Sequence, residues 1–350
     1  MDDTTAMHEA MRRAATVRTR TSPNPWVGAV VLDEAGRLVG TGATQPPGGQ
    51  HAEVAALNEA GDLARDGTLV VTLEPCSHHG RTPPCVDAVI VAGVARVVVG
   101  VVDPDPKVAG SGMRALRGAG IEVSEGVSAE AVAEQLEPYL HHRRTGRPFV
   151  VAKTAVTLDG AIAAPDGSSQ WITGEAARTD AHRLRAESDA IVVGAGTVRA
   201  DDPSLTVRHV EGRDPLRVVV GHAPDDARMR PCIEWHDTLD ALLDELGRRG
   251  VVQVMVEGGS RLLRSFHDLD LIDRYVFYVA PALLGGSDMV PVLAGPTTPS
   301  LADAWRGRFA DVRRVGDDLR LDLVPHTRSD PMPSTAVSDS VSVHSTGGER

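Results

Sequence analysis

Four residues in the first third of the chain have the types and order of a catalytic metal site: His51, Glu53, Cys76 and Cys85. One imidazole and two thiolates supply three ligands for a tetrahedral Zn²⁺ and leave the fourth position for water, which is typical of a catalytic rather than a structural site. Glu53 would then stand beside the water as a general acid and base. The third cysteine, Cys232, has no such neighbours.

The predicted secondary structure can bring these residues together. His51 and Glu53 are two positions apart and would point to nearly opposite sides of an ideal helix, but at a helix N-terminus aimed into the pocket both can reach it. Cys76 follows a predicted strand, and Cys85 opens a predicted helix behind Pro83-Pro84. Backbone N–H groups and the helix dipole at that position favour a thiolate. The sequence therefore predicts a zinc centre built from a helix start, a strand end and a second helix start.

A simpler interpretation applies to each of these residues alone. An isolated histidine is usually an ordinary helix-start residue, and an isolated cysteine is usually a small buried hydrophobe. The joint pattern favours zinc over this alternative. His78 and His79 lie between the cysteines, but surface histidines are mostly solvated, and we leave both out of the ligand set.

The hydrophobic pattern predicts two successive α/β units. The strands of the first unit cover 26–32, 37–42, 68–73, 96–102 and a segment near Ile121. Its first helix is capped by Thr4 or Thr5, three further helices begin near 51, 85 and 112, and the last covers 128–142. The second has strands over 149–156, 190–193, 216–220, 251–256 and 274–279, and helices over 175–187, 238–249 and 260–269.

A polar, basic segment closed by a proline, residues 141–148, separates the two units. We therefore predict one domain over residues 1–147 and a second over 148–326. Residues 327–350 are rich in Ser, Thr, Pro and Gly, and we expect a disordered tail there because few large apolar side chains are available for a core.

Charge and hydropathy restrict the class of protein. The 350 residues carry 36 Lys and Arg against 48 Asp and Glu, a net charge of −12, which argues against a broad surface for nucleic acid. No apolar run approaches the length needed to span a bilayer, and the N-terminus lacks the apolar core of a secretory signal. We predict a cytoplasmic protein that binds neither nucleic acid nor membrane.

The motifs resemble those of a known enzyme family. Zinc nucleobase deaminases carry His-x-Glu followed by Pro-Cys-x-x-Cys, and the first half of this signature is complete here. Eight residues separate Cys76 from Cys85 where two are usual, and the segment Pro75–Cys85 resembles the long cysteine loop of the bifunctional riboflavin-biosynthesis deaminase/reductase family. Ser22–Val30 resembles the opening strand of that family, and the likeness extends from about Met7 to Pro325.

This resemblance implies the fold and the reactions. The N-terminal domain would be a cytidine-deaminase-like three-layer α/β/α unit that removes the 2-amino group of a phosphoribosylaminopyrimidine with one Zn²⁺ per chain. The C-terminal domain would be a dihydrofolate-reductase-like α/β unit that reduces the ribosyl group to ribityl with NADPH, and the chain would form a homo-oligomer. By the same resemblance Asn24 and Arg81 contact the substrate of the first domain.

The second domain has no Gly-x-Gly-x-x-Gly after its first strand, which argues against a Rossmann cofactor domain. Three segments, 153–160, 168–174 and 194–203, resemble the reductase domain instead, and Lys153 could donate a proton or contact phosphate. The resemblance assigns cofactor contacts to Ala155, Trp171, Thr197, Asp201, Gly258, Gly259 and Ser260. It assigns substrate contacts to Ser169, Arg185, Leu205, Arg208 and Glu257.

The chain departs from the family pattern at three places. Thr44 stands where a His is frequent, Asp105 stands in a segment that usually reads Asp-Pro-Asn-Pro, and the region 220–238 is shorter than in many relatives. Two other functions compete with the family assignment: a nucleic-acid-editing deaminase, which the acidic charge disfavours, and a pseudoenzyme whose second domain only binds and regulates.

Overall fold

The computed structural model describes residues 1–80 and 82–326; Arg81 and the predicted tail at 327–350 lie outside the described residues. The described chain forms two separate main sheets, one before and one after the link at residues 146–148.

Among the described residues, the first half has five strands, which form one sheet, and six α-helices around it. In chain order they are α1 (Asp3–Ala15), β1 (Gly28–Leu32), β2 (Leu38–Ala43), α2 (Ala52–Ala60), β3 (Thr68–Leu73), α3 (Cys85–Ala92), β4 (Arg96–Val101), α4 (Ser111–Gly118), β5 (Glu122–Glu125), α5 (Ala129–Gln135) and α6 (Glu137–Thr145). The strand order is β2-β1-β3-β4-β5, with β1 antiparallel to both neighbours and β3, β4 and β5 parallel.

Two glycines show that helices cover both faces of this sheet. A Cβ at Gly42 would lie 2.1 Å from the carbonyl oxygen of Ala52 in α2, and a Cβ at Gly28 would lie 1.8 Å from that of Ala10 in α1. Gly42 pairs with Ala29, the neighbour of Gly28, so α1 and α2 lie on opposite faces. The half is a three-layer α/β/α unit, and the close contact with Gly42 holds the start of α2 against the sheet.

The second half is built on an eight-stranded sheet. Its elements are β6 (Phe149–Thr157), β7 (Ala161–Ala163), α7 (Glu175–Ala186), β8 (Ala190–Gly194), α8 (Ala195–Asp201), β9 (Leu216–Val220), β10 (Ile233–Trp235), α9 (Leu239–Arg248), β11 (Gln253–Glu257), α10 (Ser260–Asp268), β12 (Arg274–Ala280), β13 (Val290–Pro291), β14 (Gly307–Val315) and β15 (Asp318–Pro325). The order is β10-β9-β8-β11-β6-β12-β15-β14; the first six strands are parallel and the last two pairings antiparallel, while β7 and β13 form a separate pair.

Two hydrophobic clusters cover the two faces of the larger sheet. Val150 and Ala152 of β6 belong to one cluster, and Phe149 and Val151 belong to the other, as the alternation of a strand requires. Most predicted elements agree with the structure to within two residues.

Two of the predicted helices differ from the structure. Asp2, rather than Thr4 or Thr5, caps α1, because its carboxylate accepts the N–H of Thr5 at 2.7 Å. The helix predicted over 128–142 is two helices with a break at Leu136, and Pro138, which has no N–H to donate, stands in the first turn of the second. The sequence analysis did not predict β7, α8, β10, β13, β14 or β15.

Helix α6 joins the two halves. The imidazole of His142 lies 3.4 Å from the carbonyl oxygen of Gly247 in α9. A Cβ at Gly247 would lie 2.0 Å from the carbonyl oxygen of Gly146. Arg147, just after α6, pairs with Asp240 and Asp244 of α9. One face of α9, at positions i, i+4 and i+7, therefore packs against the end of α6.

A second set of contacts ties the segment after α1 to the second half. Arg18 pairs with Glu187 at 3.2 Å and donates to the buried amide of Gln253 at 3.0 Å. Among the described residues, no helix has the length and apolar character needed to cross a membrane.

Candidate active sites

The predicted zinc ligands lie together in the structure. His51 is the N-cap of α2, Cys76 follows β3, and Cys85 is the first residue of α3. The ligand atoms of the three residues lie within 4.8 Å of one another, with His51 Nδ1 3.1 Å from Cys85 Sγ and 3.6 Å from Cys76 Sγ. In a tetrahedral zinc site such atoms are separated by about 3.5–3.8 Å, so these residues fit the metal.

Glu53 lies beside the three ligands. Its side chain is buried, and its Oε2 has no hydrogen-bond partner. Burial, followed by the nearby Cys76, raises the pKa of Glu53 to about 6. A buried carboxylate oxygen without a partner is costly unless a ligand or a reacting group uses it, so Glu53 fits the predicted proton carrier.

The two thiols shift each other's pKa in opposite directions. The hydrogen bond between them lowers the pKa of Cys76 and raises that of Cys85. The backbone N–H of Cys85 also donates to Cys76 Sγ at 3.4 Å. A bound zinc ion deprotonates coordinating thiols, which converts this coupled pair into two ligands.

A buried carboxylate that the sequence analysis missed shapes the same cavity. Glu74 accepts four backbone N–H groups at 2.9–3.3 Å, from Asp103, Gly110, Gly112 and Met113. These donors belong to the segment after β4 and to the start of α4. Glu74 therefore fixes the loop that forms one wall of the cavity, and its place directly before Pro75-Cys76 was the available signal.

The cavity extends from the metal ligands to α6. Asn24, a predicted substrate residue, lines it near His51 and Cys76, and Asp103, Tyr139 and Arg143 also line it. The hydroxyl of Tyr139 donates to Asp103 at 2.9 Å, and the guanidinium of Arg143 lies over the Tyr139 ring at 4.9 Å.

The sequence did not indicate the role of α6 because its residues are far from the zinc motif along the chain. His78 also lines the cavity but is outside the metal cluster, and Arg81 lies outside the described residues.

A second site forms at the carboxyl ends of the parallel strands in the larger sheet. Thr197 follows β8, and Gly258 and Gly259 follow β11, the strand beside β8. Both glycines have positive φ, and a Cβ at Gly259 would lie 2.9 Å from Thr197 Oγ1. Helix α10 begins at Ser260 without a side-chain cap, so its first N–H groups remain available for an anion.

Next to this loop, a cavity of about 360 Å³ is lined by five residues that the sequence analysis singled out: Lys153, Trp171, Arg185, Arg208 and Glu257. Arg185 Nη2 pairs with Glu257 at 2.7 Å, and Lys153 Nζ pairs with the other oxygen at 3.1 Å. Burial favours the neutral acid, but Arg185 and Lys153 outweigh it and lower the pKa of Glu257 to about 2. The carboxylate is therefore ionised throughout the neutral pH range.

The remaining predicted residues lie outside the lining of this cavity. Ser169, Asp201 and Ala155 do not line it. Ala155 lies in the carboxyl half of β6, and Asp201 is the last residue of α8. The Leu205 side chain is buried in the core at 3% exposure. Because this side chain is buried, only the backbone of Leu205, which has a φ of 54°, could contact a substrate.

Comparisons with known protein families match both halves. The family model of the cytidine and deoxycytidylate deaminase zinc-binding region matches residues 1–101, and that of the RibD C-terminal domain matches residues 148–321. The first match contains all three predicted metal ligands, and the second contains the larger sheet up to β15.

Whole proteins give the same result. The riboflavin biosynthesis protein RibD of Mycobacterium tuberculosis is 46% identical, and the match covers 91% of this chain and 96% of the relative. The RibD protein of Escherichia coli is 39% identical, and the match covers 93% of this chain and 100% of the relative. A structure of Acinetobacter baumannii RibD superposes with a TM-score of 0.87 at 37% identity, covering 93% of this chain and 99% of that one.

A Thermotoga maritima structure described as a diaminohydroxyphosphoribosylaminopyrimidine deaminase and 5-amino-6-(5-phosphoribosylamino)uracil reductase superposes with a TM-score of 0.84 at 34% identity, with 93% and 99% covered. The resemblance found in the sequence and the predicted fold class are thereby confirmed. The chain belongs to the RibD family of bifunctional riboflavin-biosynthesis enzymes, which join a deaminase half to a reductase half.

Proposed function

We propose that the chain converts 2,5-diamino-6-(5-phosphoribosylamino)pyrimidin-4(3H)-one to 5-amino-6-(5-phosphoribosylamino)uracil and then reduces the ribosyl group to ribityl with NADPH. The observation that carries the proposal is the buried, unpartnered carboxylate oxygen of Glu53 beside three zinc-ligating side chains. A hydrolytic deamination needs this combination, because a proton must move from water to departing ammonia.

In the first half, His51, Cys76 and Cys85 would hold one zinc ion. The ion, when bound, supplies a Lewis acid that makes water a nucleophile at neutral pH. Glu53 takes the proton of the attacking water and returns protons to the 2-amino group, which leaves as ammonia. Asn24 and the wall formed by Tyr139 and Arg143 orient the pyrimidine.

In the second half, Gly258, Gly259 and the start of α10 would bind a phosphate of the cofactor. NADPH, when bound, supplies the hydride. Arg185 and Arg208 offer planar donor groups to the substrate phosphate, and the ionised Glu257 accepts hydrogen bonds from hydroxyl or amine groups. Lys153 carries protons at Nζ in the same cavity and can protonate the ribosyl oxygen that ring opening frees.

Glu53→Gln separates the two reactions. The amide keeps the shape of the side chain but cannot carry the proton, so ammonia release should fall ~10²- to 10⁴-fold. Zinc content, measured by elemental analysis, should stay at the parental level. NADPH oxidation with the deaminated intermediate should also be unchanged, and this serves as the control for folding.

A Cys76→Ser/Cys85→Ser protein tests the metal ligands. It should lose zinc and ammonia release together, while the reductase reaction persists. Full retention of zinc would overturn the ligand assignment. A parent protein that binds NADPH but never oxidises it with the intermediate would instead favour a second half that only binds and regulates.

A further inference from the structure

One face of α7 forms a wall of the reductase cavity. Arg178, Ala181, His182 and Arg185 line the cavity at the spacing i, i+3, i+4 and i+7, which places them on one side of the helix. Arg185 is a predicted substrate residue, whereas His182 had no role in the sequence analysis. The signal that could have indicated His182 is its position one helical turn before Arg185.

The geometry of His182 fixes which nitrogen carries its proton. The side chain is 6% exposed, and its Nδ1 accepts the backbone N–H of Arg208 at 3.2 Å. Since Nδ1 is the acceptor, Nε2 carries the hydrogen in the neutral ring. The ring of His209 packs edge-on against His182 with centroids 4.6 Å apart, which restricts its rotation.

The surroundings keep this ring neutral. Lys153, Arg178, Arg185 and Arg208 line the cavity, and Glu257 is the one carboxylate among the described lining residues. Burial, then the charges of Arg185 and Arg208, lowers the pKa of His182 to about 4. A neutral imidazole adds a directed N–H donor without burying another cation.

The segment that carries Arg208 is held against α7 by two contacts. Arg185 Nη1 donates to the carbonyl oxygen of Thr206 at 2.8 Å, and His182 accepts from Arg208 itself. The guanidinium of Arg208 is exposed but bonds the hydroxyls of Ser204 and Thr206, and Arg208 lines the cavity.

We propose that His182 is a phosphate-binding residue of the reduction: its Nε2–H donates to a phosphoryl oxygen of the substrate, while its Nδ1 positions Arg208 beside the same group. The inference rests on the proposed function, which brings a phosphoribosyl substrate to this cavity. A cavity with four cations and one carboxylate, in a chain of net charge −12, is suited to such an anion.

Three substitutions distinguish the roles of the two ring nitrogens of His182. His182→Ala removes both, His182→Gln places an amide N–H near the position of Nε2, and His182→Asn places an amide oxygen near that of Nδ1. Ribose 5-phosphate and ribose are titrated calorimetrically into the parent and each full-length variant. The KM and kcat of reduction are measured in parallel, and ammonia release in the same preparations reports intact folding.

His182→Ala should weaken ribose 5-phosphate binding ~10-fold or more and raise KM by a similar factor, because a hydrogen bond to a charged group is lost. Ribose titrations and kcat should change little, and His182→Gln should recover most of the loss. Recovery by His182→Asn but not by His182→Gln would overturn the phosphate contact and leave a purely structural role. Equal binding by the parent and His182→Ala would also overturn it.

The binding arm does not depend on turnover. If the parent fails to reduce the intermediate, the proposed function is wrong. The difference between parent and His182→Ala in ribose 5-phosphate binding still decides whether the phosphate contact exists.

Discussion

Replacing Gly247 by alanine should disturb the deaminase half from a position in the reductase half. The new Cβ would lie 2.0 Å from Gly146 O and 3.3 Å from Arg147 Cα, and both neighbours are backbone atoms. Real Cβ contacts require at least 3 Å, so α9 and the end of α6 must move apart by about 1 Å.

The energetic cost follows from two opposing effects. Overpacking of this kind costs about 1–3 kcal/mol, and the better helix propensity of alanine returns up to about 1 kcal/mol. We therefore expect a net destabilisation of ~1–2 kcal/mol. Tyr139 and Arg143 lie on the displaced helix and line the deaminase cavity, so KM for deamination should rise several-fold while zinc content stays constant.

The assay compares thermal unfolding, zinc content and the KM of ammonia release in the parent, Gly247→Ala and a matched control, Gly118→Ala. A Cβ at Gly118 in α4 would meet no atom within 4 Å, so the control should be neutral or slightly stabilising. A Gly247→Ala protein with parental stability and parental KM would refute the reasoning. It would indicate that the two halves function independently, which is what the predicted domain boundary at residue 147 suggests when it is taken alone.

Two further predictions concern buried carboxylates. The pKa of Glu257 is lowered in the fold, so this group stabilises the protein above pH 4.5 and loses that effect as pH falls towards 2. In urea unfolding, the free energy of unfolding of Glu257→Gln should be lower than that of the parent by a few kcal/mol at pH 7, and this deficit should shrink below pH 4.5. A deficit that does not depend on pH would contradict the ion pairs. Glu74→Gln should weaken four backbone hydrogen bonds and lower the free energy of unfolding by ~2–4 kcal/mol. It should also raise the KM for deamination while the zinc content stays at the parental level. An unchanged KM would show that the loop holds its shape without Glu74.

Local sequence signals were enough to predict the metal centre. His51, Cys76 and Cys85 each occur at the start or end of an element whose boundary is marked by prolines or by a change in hydrophobic period, so their placement followed from the chain itself. The family resemblance supplied the fold class and most of the reductase residues.

Long-range structure could not be predicted in the same way. The residues of α6 that line the deaminase cavity, Tyr139 and Arg143, are 54 and 58 positions from Cys85, the nearest ligand, and no local pattern connects them. Strands β14 and β15 were missed because charged residues interrupt their apolar alternation and most side chains of β14 are exposed. The tail, Arg81, the oligomeric state and the cellular location remain predictions from the sequence.

The short link between α6 and β6 determines how the intermediate passes between the reactions. Only residues 146–148 separate the two elements, and the ion pairs of Arg147 hold this segment to α9. Residues 146–148 therefore form no swinging segment that could carry the deaminated product, and we expect this product to diffuse from one cavity to the other. In an assay started with the diamino substrate, the lag before steady NADPH oxidation should then lengthen in inverse proportion to the enzyme concentration.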